Sequence, residues 1–405
     1  MINTQLKHKG SVAEVFKTFL KLGFTSFGGP IAHIGYFRQE LIEKKQWVNE
    51  HQFSQLLAIC QFLPGPASSQ LGFALGLLRA GWLGALAAFL AFTLPSALLL
   101  VSFASVLPLL SNPIGTAIIH GLKLVAVAVV ADAVYGMSKK LCPDIQRRMI
   151  AIVAAGALLL ISAAWAQVMI IVAGAIAGTF FCRASVAAVK NNIQIVYSKK
   201  LGLILLAIFL LLLLVSVLVS EQSGFIAIGQ AFYRAGALVF GGGHVVLPLL
   251  EDAVVNTGWV SNENFLAGYG ASQAIPGPMF AFSAYLGSII PAAIIPASDQ
   301  ISWLGALVAL VFMFLPGFLL IAAVLPMWQT IANNPTATNA ITGINAVVVG
   351  ILGAALYDPI FTSSVNSIYD LAISIIALSM LIMWRISPLL TVIWCVIASA
   401  LPILL

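Results

Sequence analysis

Charge is what this sequence has least of. Only 8% of its 405 residues are Asp, Glu, Lys or Arg, against about 25% in an ordinary soluble domain. That shortage excludes a water-soluble fold, and the 61% hydrophobic content points to a chain that crosses a bilayer many times. Cysteine is nearly as scarce. The four present (Cys60, Cys142, Cys182, Cys395) are scattered without metal-ligand or redox spacing, so neither a disulfide framework nor a metal centre is expected. There is no Gly-rich phosphate loop, and no polar stretch is long enough to be a nucleotide-binding domain. Transport or catalysis fuelled by the chain's own ATP hydrolysis is therefore excluded, and nothing suggests nucleic-acid binding. Residues 1–10 are a short polar start with no cleavable leader pattern. No cofactor is implied.

What is present is one unit used twice. Phe19-Leu20-Lys21-Leu22-Gly23 matches Phe232-Tyr233-Arg234-Ala235-Gly236, and Phe27-Gly28-Gly29 matches Phe240-Gly241-Gly242. Trp47-Val48 and Phe53 align with Trp259-Val260 and Phe265. Pro64-Gly65-Pro66 then aligns with Pro276-Gly277-Pro278, Trp82-Leu83-Gly84 with Trp303-Leu304-Gly305, and Pro95 with Pro316. Asn112-Pro113, Gly121 and Tyr135 find Asn334-Pro335, Gly343 and Tyr357, over an offset that drifts only from 212 to 222. Ordered matches of Trp, Gly and Pro on this scale mark an internal duplication. The expected layout is a first repeat at 1–185, a linker at 186–221 holding one extra span near 201–220, and a second repeat at 222–405. The fold class is all-α and polytopic, with about 10–13 membrane segments. Clear apolar runs lie at 149–182, 201–220, 301–328 and 367–384.

Charge sign sets the orientation. Of the 19 Lys and Arg, 17 lie within residues 1–200 and only Arg234 and Arg385 beyond. Arg38, Lys44 and Lys45 occupy loops whose counterparts carry Glu251, Asp252 and Asn256. Lys/Arg-rich loops stay in the cytoplasm. Equivalent loops are thus expected on opposite sides, with the odd extra span inverting the second copy and the N-terminus cytoplasmic. This is the inverted-repeat plan of many secondary transporters.

Each unit breaks its helices twice, at Phe-Gly-Gly and at Pro-Gly-Pro. Proline removes a backbone donor and clashes with the turn before it, glycine permits left-handed dihedrals, and proline can open the next helix. Backbone freed inside a bilayer must be lined by protein or a watery cavity, and a helix N-terminus suits an anion. The expected substrate-binding set is therefore Gly28, Gly29, Pro64, Gly65 and Pro66 with Gly241, Gly242, Pro276, Gly277 and Pro278. Gln61 and Gln273 precede the two Pro-Gly-Pro motifs, and Ser68 and Ser69 follow the first; the amides either bind an oxyanion or satisfy the broken backbone. Lys21 and Arg234 are matched cations on otherwise apolar helices, where an ionisable side chain marks function by default; the competing role is snorkelling to the headgroups. Lys123 and Asp132, on one helix of the first half, together with His33 and His244, outline a proton or anion path or else find separate structural partners. Arg79, Trp47, Trp82, Trp259 and Trp303 read as interfacial anchors, the tryptophans alternatively as a shared packing joint.

The ordered set Phe19…Phe27-Gly28-Gly29-Pro30…Trp47…Pro64-Gly65-Pro66, repeated as Phe232…Phe240-Gly241-Gly242-Gly243…Trp259…Pro276-Gly277-Pro278, resembles the chromate ion transporter family in its long, two-domain form. The resemblance covers nearly the whole chain. It implies a multi-pass protein of the bacterial inner membrane that exports chromate and confers chromate resistance, without enzymatic activity, its halves inserted in opposite orientations. The partners expected are chromate or the similar sulfate, the lipid bilayer, and optionally a second copy in a homodimer. A transporter of another oxyanion and an anion channel are the competing readings. An intramembrane enzyme acting on lipid phosphates would need a base or metal cluster that the few acids and histidines do not form. Gly243 in place of Pro30 leaves room for an asymmetric site.

Overall fold

The chain folds as helices joined by short turns. A computed structural model describes residues 10–161, 164–182, 197–219, 223–240, 243–290 and 301–404, and no strand occurs among them. The first half contains α1 (Val12–Thr25), α2 (Gly29–Arg38) running into a π-helical turn (Gln39–Lys44), α3 (Glu50–Phe62), α4 (Ala67–Val106), α5 (Pro113–Leu141), α6 (Ile145–Leu160) and α7 (Ala164–Phe181). Then comes α8 (Lys199–Leu218), the expected extra span. The second half holds α9 (Gly224–Ala237), α10 (Val246–Val254), α11 (Asn262–Ala274), a 3₁₀ turn (Met279–Ala281) leading into α12 (Phe282–Ile289), and α13 (Trp303–Val324). It closes with α14 (Trp328–Ala332), α15 (Pro335–Ala355), α16 (Thr362–Ser364), α17 (Ile368–Ile382) and α18 (Pro388–Leu404). The boundaries expected at 185/186 and 221/222 fall outside the described residues.

Five described helical runs are long and apolar enough to cross a bilayer: Ala67–Leu110, Pro113–Leu141, Lys199–Leu218, Trp303–Ala332 and Pro335–Ser364. This makes the chain a multi-pass membrane protein, with fewer full-length spans than the ten to thirteen segments expected. The shortfall has a physical cause. The helices flanking each Pro-Gly-Pro are half-length: α3 and α11 have 13 residues each, or about 20 Å at 1.5 Å per residue, against a hydrocarbon core of about 30 Å. The apolar helices Ala166–Phe181, Ile368–Ile382 and Pro388–Ile403 are also shorter than a full span.

The half-length helices pair into hairpins, α3 with α4 and α11 with α12. Asn49 caps α3 in a reciprocal box with Gln52, a polar start that satisfies two orphan amides. At the other end of the hairpin, α4 breaks at Ala80 and Gly81, leaving a first leg of residues 67–79. The Arg79 guanidinium lies 5.2 Å from the Trp47 ring centroid and donates to Glu14, as does the Trp47 indole N–H at 3.0 Å. Both feet of this hairpin therefore meet at Glu14. Trp47 is buried there, a packing joint instead of a membrane-belt anchor, whereas Trp82 and Trp303 are exposed. In the second half, the Tyr285 hydroxyl donates to the Asn264 carbonyl at 2.8 Å, tying α12 back to the first turn of α11. Pro-Gly-Pro is the buried tip of each hairpin.

Two long helices relate the hairpins. The second part of α4, from Trp82, crosses α13 with Phe89 against Phe314 and Phe318. The Tyr197 ring packs on Trp82 while its hydroxyl donates to Ala322, near the end of α13. Phe103, near the end of α4, packs on Tyr285 at the foot of the other hairpin. The two helices are thus antiparallel. The two feet lie at opposite ends of the segment 82–103, about 32 Å at 1.5 Å per residue. The closing hairpins are exchanged: α6 and α7 lie along α15, whereas α17 and α18 lie along α5. Gly174 and Gly178 face the backbone of Gly343, and Gly121 faces Cys395 and Val396. Small residues at such crossings let helices approach closely in lipid, where packing replaces the hydrophobic effect as the driving force.

Candidate functional site

The helix breaks of the two halves close on each other. The Gly65 amide donates to the Val239 carbonyl at 2.6 Å, beside the second Phe-Gly-Gly, and the Gly277 amide donates to Ser26 at 2.9 Å, beside the first. Each tip also rests on the other half's proline-containing long helix. A Cβ added to Gly65 would stand 3.0 Å from the Gly317 Cα, and one on Gly277 2.8 Å from the Ser96 hydroxyl. These two glycines have φ +120 and +99, a region open to glycine and strained for other residues. Gly243 lies against its counterpart Pro30 and against Met279, just past the second tip. Gly241 and Gly242 lie outside the described residues.

Two helix starts meet here without caps. α2 begins after Gly28 and α4 after Pro66, and neither receives a side-chain capping bond. The Gln70 amide is the first in α4 to find its helical acceptor, Pro66, at 2.9 Å. The amides of Ala67, Ser68 and Ser69 are the orphan donors that every helix start presents. His33 Nδ1 stands 3.4 Å from the Ser68 hydroxyl, which places the first turns of α2 and α4 side by side, with the Phe92 ring edge-on to the imidazole.

Around these starts, five buried polar atoms have no hydrogen-bond partner among the described residues: Ser26 Oγ, His33 Nε2, Ser69 Oγ, Gln70 Oε1 and Thr93 Oγ1. Leaving a buried polar group unmet costs about 1–3 kcal/mol. The three hydroxyls can donate, and so can His33 in its Nε2–H tautomer, so an oxyanion would relieve most of that cost. The Gln70 amide nitrogen is already committed, donating to Pro64 and to Gly317 of the other half at 2.9 and 3.0 Å. It fixes the tip and joins the halves. The positions matching Ser68, Ser69 and Gln70 are Phe280, Ala281 and Phe282, so the polar lining comes from the first half alone.

The sequence-expected cations sit elsewhere. Lys21 Nζ is 2.9 Å from the carboxylate of Glu40, which Lys44 shares at 3.5 Å; Lys21 is 56% exposed and Glu40 10%. Arg234 is exposed and lies within electrostatic reach of Asp252, which stands where the first half has Glu40. Each matched cation therefore has a matched carboxylate. That spacing of 19 and 18 residues was legible in the sequence but carries no helical period to draw the eye. Gln61 is exposed one turn before its tip, and Gln273 donates within its own helix to Tyr269 and Ser272. His244 Nδ1 is 2.7 Å from the Tyr269 hydroxyl. Lys123 and Asp132 lie about 13 Å apart along α5 by helical rise and form no ion pair among the described residues. Ser26, Gln70 and Thr93 were not singled out from sequence, because serine, threonine and glutamine on apolar helices are common and only the fold gathers them.

A family model described as Chromate transporter matches residues 13–179 and again 226–401. Among curated proteins, the chain is 27% identical to a probable chromate transport protein of Synechococcus elongatus, covering 93% of this chain and 91% of the relative. It is 28% identical to a chromate transport protein of Pseudomonas aeruginosa, over 86% and 81%. A chromate transport protein of Cupriavidus metallidurans is 25% identical over 89% and 84%. No solved structure matches the chain.

Proposed function

The chain belongs to the chromate transporter family, and on that basis we propose that it is a secondary transporter carrying chromate out of the cytoplasm across the bacterial inner membrane, conferring chromate resistance. The observation that carries the reading is the crossed pair of tip bonds, Gly65 to Val239 and Gly277 to Ser26, beside two uncapped helix starts and their unmet hydroxyls. Chromate is a tetrahedral dianion. N–H and O–H donors from several directions suit such an ion, and helix starts add partial positive charge. The bound oxyanion is proposed to lie against Gly28, Gly29, Gly65 and Pro66, with Ser26, Ser69, Thr93 and His33 donating.

Opposite insertion of the halves is supported by the two hairpin feet at opposite ends of an approximately 32 Å helix segment and by the antiparallel run of α4 and α13. Lys44 lies close to the first foot, and Lys139, Lys140, Arg147 and Arg148 belong to the same half; cation-rich loops of this kind stay cytoplasmic. The first foot and the N-terminus are therefore assigned to the cytoplasmic side. Lys21 and Arg234, each near its own carboxylate, are assigned to the approaches to the site and not to its floor. A negative-inside potential favours anion exit by about 2.3 kcal/mol per charge per 100 mV, enough to drive efflux of a dianion, with or without proton exchange through His33.

Everted vesicles test this reading. Chromate uptake into them is expected to saturate, to be competed by sulfate, and to fall when the potential is collapsed. Absence of uptake under any gradient would reject transport, and non-saturating flux would point to a channel.

A further inference from the structure

Away from the site, α6, α7 and α15 enclose an apolar groove of about 590 Å³. Ile145, Met149, Val153 and Ala157 form one stripe along the whole of α6, Phe181 marks the end of α7, and Val347 of α15 forms the floor. The four α6 positions recur every fourth residue, on one helix face, and run about 18 Å at helical rise. Val347 is packed against Gly174, and α15 lies along both α6 and α7. Gln146, at the 145/181 end, is the single polar residue lining the groove.

That polar end is also where positive charge gathers. Lys139 and Lys140 finish α5, and Arg147 and Arg148 open α6, against one acid, Asp144. Asp144 accepts from Arg147 Nε at 2.6 Å; the Arg148 guanidinium donates to the carbonyls of Cys142 and Pro143 at 3.1 and 3.0 Å. Cys182, just beyond Phe181, lies within electrostatic reach of Arg147 and Asp144, and Arg147 follows Gln146 of the groove lining, which puts Arg147 at the mouth with the other cations close by in the chain. Asp144 neutralises one of four positive charges and is itself held below the usual carboxylate range by its hydrogen bonds to Arg147.

We propose that this groove is a binding site for an anionic phospholipid, its acyl chain along Ile145–Ala157 and its phosphate at Arg147, Arg148, Lys139 and Lys140. An apolar slot ending in a cationic mouth is complementary to an amphiphile with a negative head, and basic pockets between membrane helices bind such lipids. A second copy docked side by side on this face would bring two cationic clusters together, which disfavours pairing. A small free anion has no use for the groove.

Native mass spectrometry of the detergent-purified full chain, titrated with phosphatidylglycerol or phosphatidylcholine of identical acyl chains, tests this. The wild type is expected to retain phosphatidylglycerol at least about fivefold better, the roughly 1 kcal/mol that a single cation contributes at an anionic surface. The double variant Lys139→Gln/Lys140→Gln should reduce that preference several-fold while keeping weak binding of both lipids. Val153→Trp should fill the groove and lower retention of both. Glycerol phosphate, added as the water-soluble head alone, should not compete. Equal retention of both lipids by the wild type, or retention untouched by Val153→Trp, overturns the site. So does competition by glycerol phosphate, or a dimer peak that Val153→Trp removes. Melting temperatures of both variants within a few degrees of wild type show that folding is not the cause.

Discussion

Valine at Gly65 or Gly277 is expected to abolish transport and to lower the melting temperature in detergent. Both positions carry positive φ, +120 and +99, where a β-branched residue costs about 1–3 kcal/mol in backbone strain. The new side chain would also meet the Gly317 backbone in one case and Ser96 in the other, and such overpacking adds about 1–3 kcal/mol. Either change also pushes the tip amide off its acceptor in the other half, Val239 or Ser26. The two variants should therefore behave alike although they lie 212 residues apart. Gly353→Ala is the control: nothing lies within 4 Å of its added Cβ, and alanine favours helix over glycine by about 1 kcal/mol. Normal uptake by either tip variant would contradict the interlocked tips.

The second large effect is expected from the unmet donors. Ser69→Ala and Ser26→Ala each remove a hydroxyl proposed to bond the oxyanion. A hydrogen bond to a charged group contributes about 1.5–3 kcal/mol, so each should weaken chromate binding about 10- to 100-fold. Because both hydroxyls are buried without a partner among the described residues, the same substitutions should leave the melting temperature unchanged or slightly raised. That opposition, weaker binding with undiminished stability, separates a ligand role from a structural one. Ser283→Ala, whose hydroxyl bonds the Phe280 carbonyl within its own half at 2.8 Å, should leave affinity alone. Equal chromate affinity in Ser69→Ala, Ser26→Ala and the wild type would remove the hydroxyls from the site.

Sequence made the helix breaks legible because Pro and Gly act locally: Pro64-Gly65-Pro66 ends a helix whatever surrounds it. The duplication was legible for the same reason, and the extra helix α8 from its unbroken apolar run. What could not be read was partnership. Nothing at Ser26 announces that its carbonyl accepts from Gly277, because a backbone acceptor has no residue type. Glu40 carries no motif or period that marks it in the sequence, yet it is buried and holds both Lys21 and Lys44. The exchange of closing hairpins, α6 and α7 onto α15 and α17 and α18 onto α5, is likewise invisible to periodicity, since any apolar face can meet any other. Hydropathy left the number of full crossings open, because it cannot tell a half-length helix inside a hairpin from part of a longer one.

The proposed transport mechanism depends on opposite insertion of two hairpins whose tips share one centre. Single cysteines at Lys44→Cys and Asn256→Cys probe it directly, since both positions are exposed and the four native cysteines are buried. In intact cells, a membrane-impermeant maleimide should label position 256 and spare position 44, and in everted vesicles the order should reverse. Labelling of both positions from the same side would contradict opposite insertion, and with it a single anion site built from both halves.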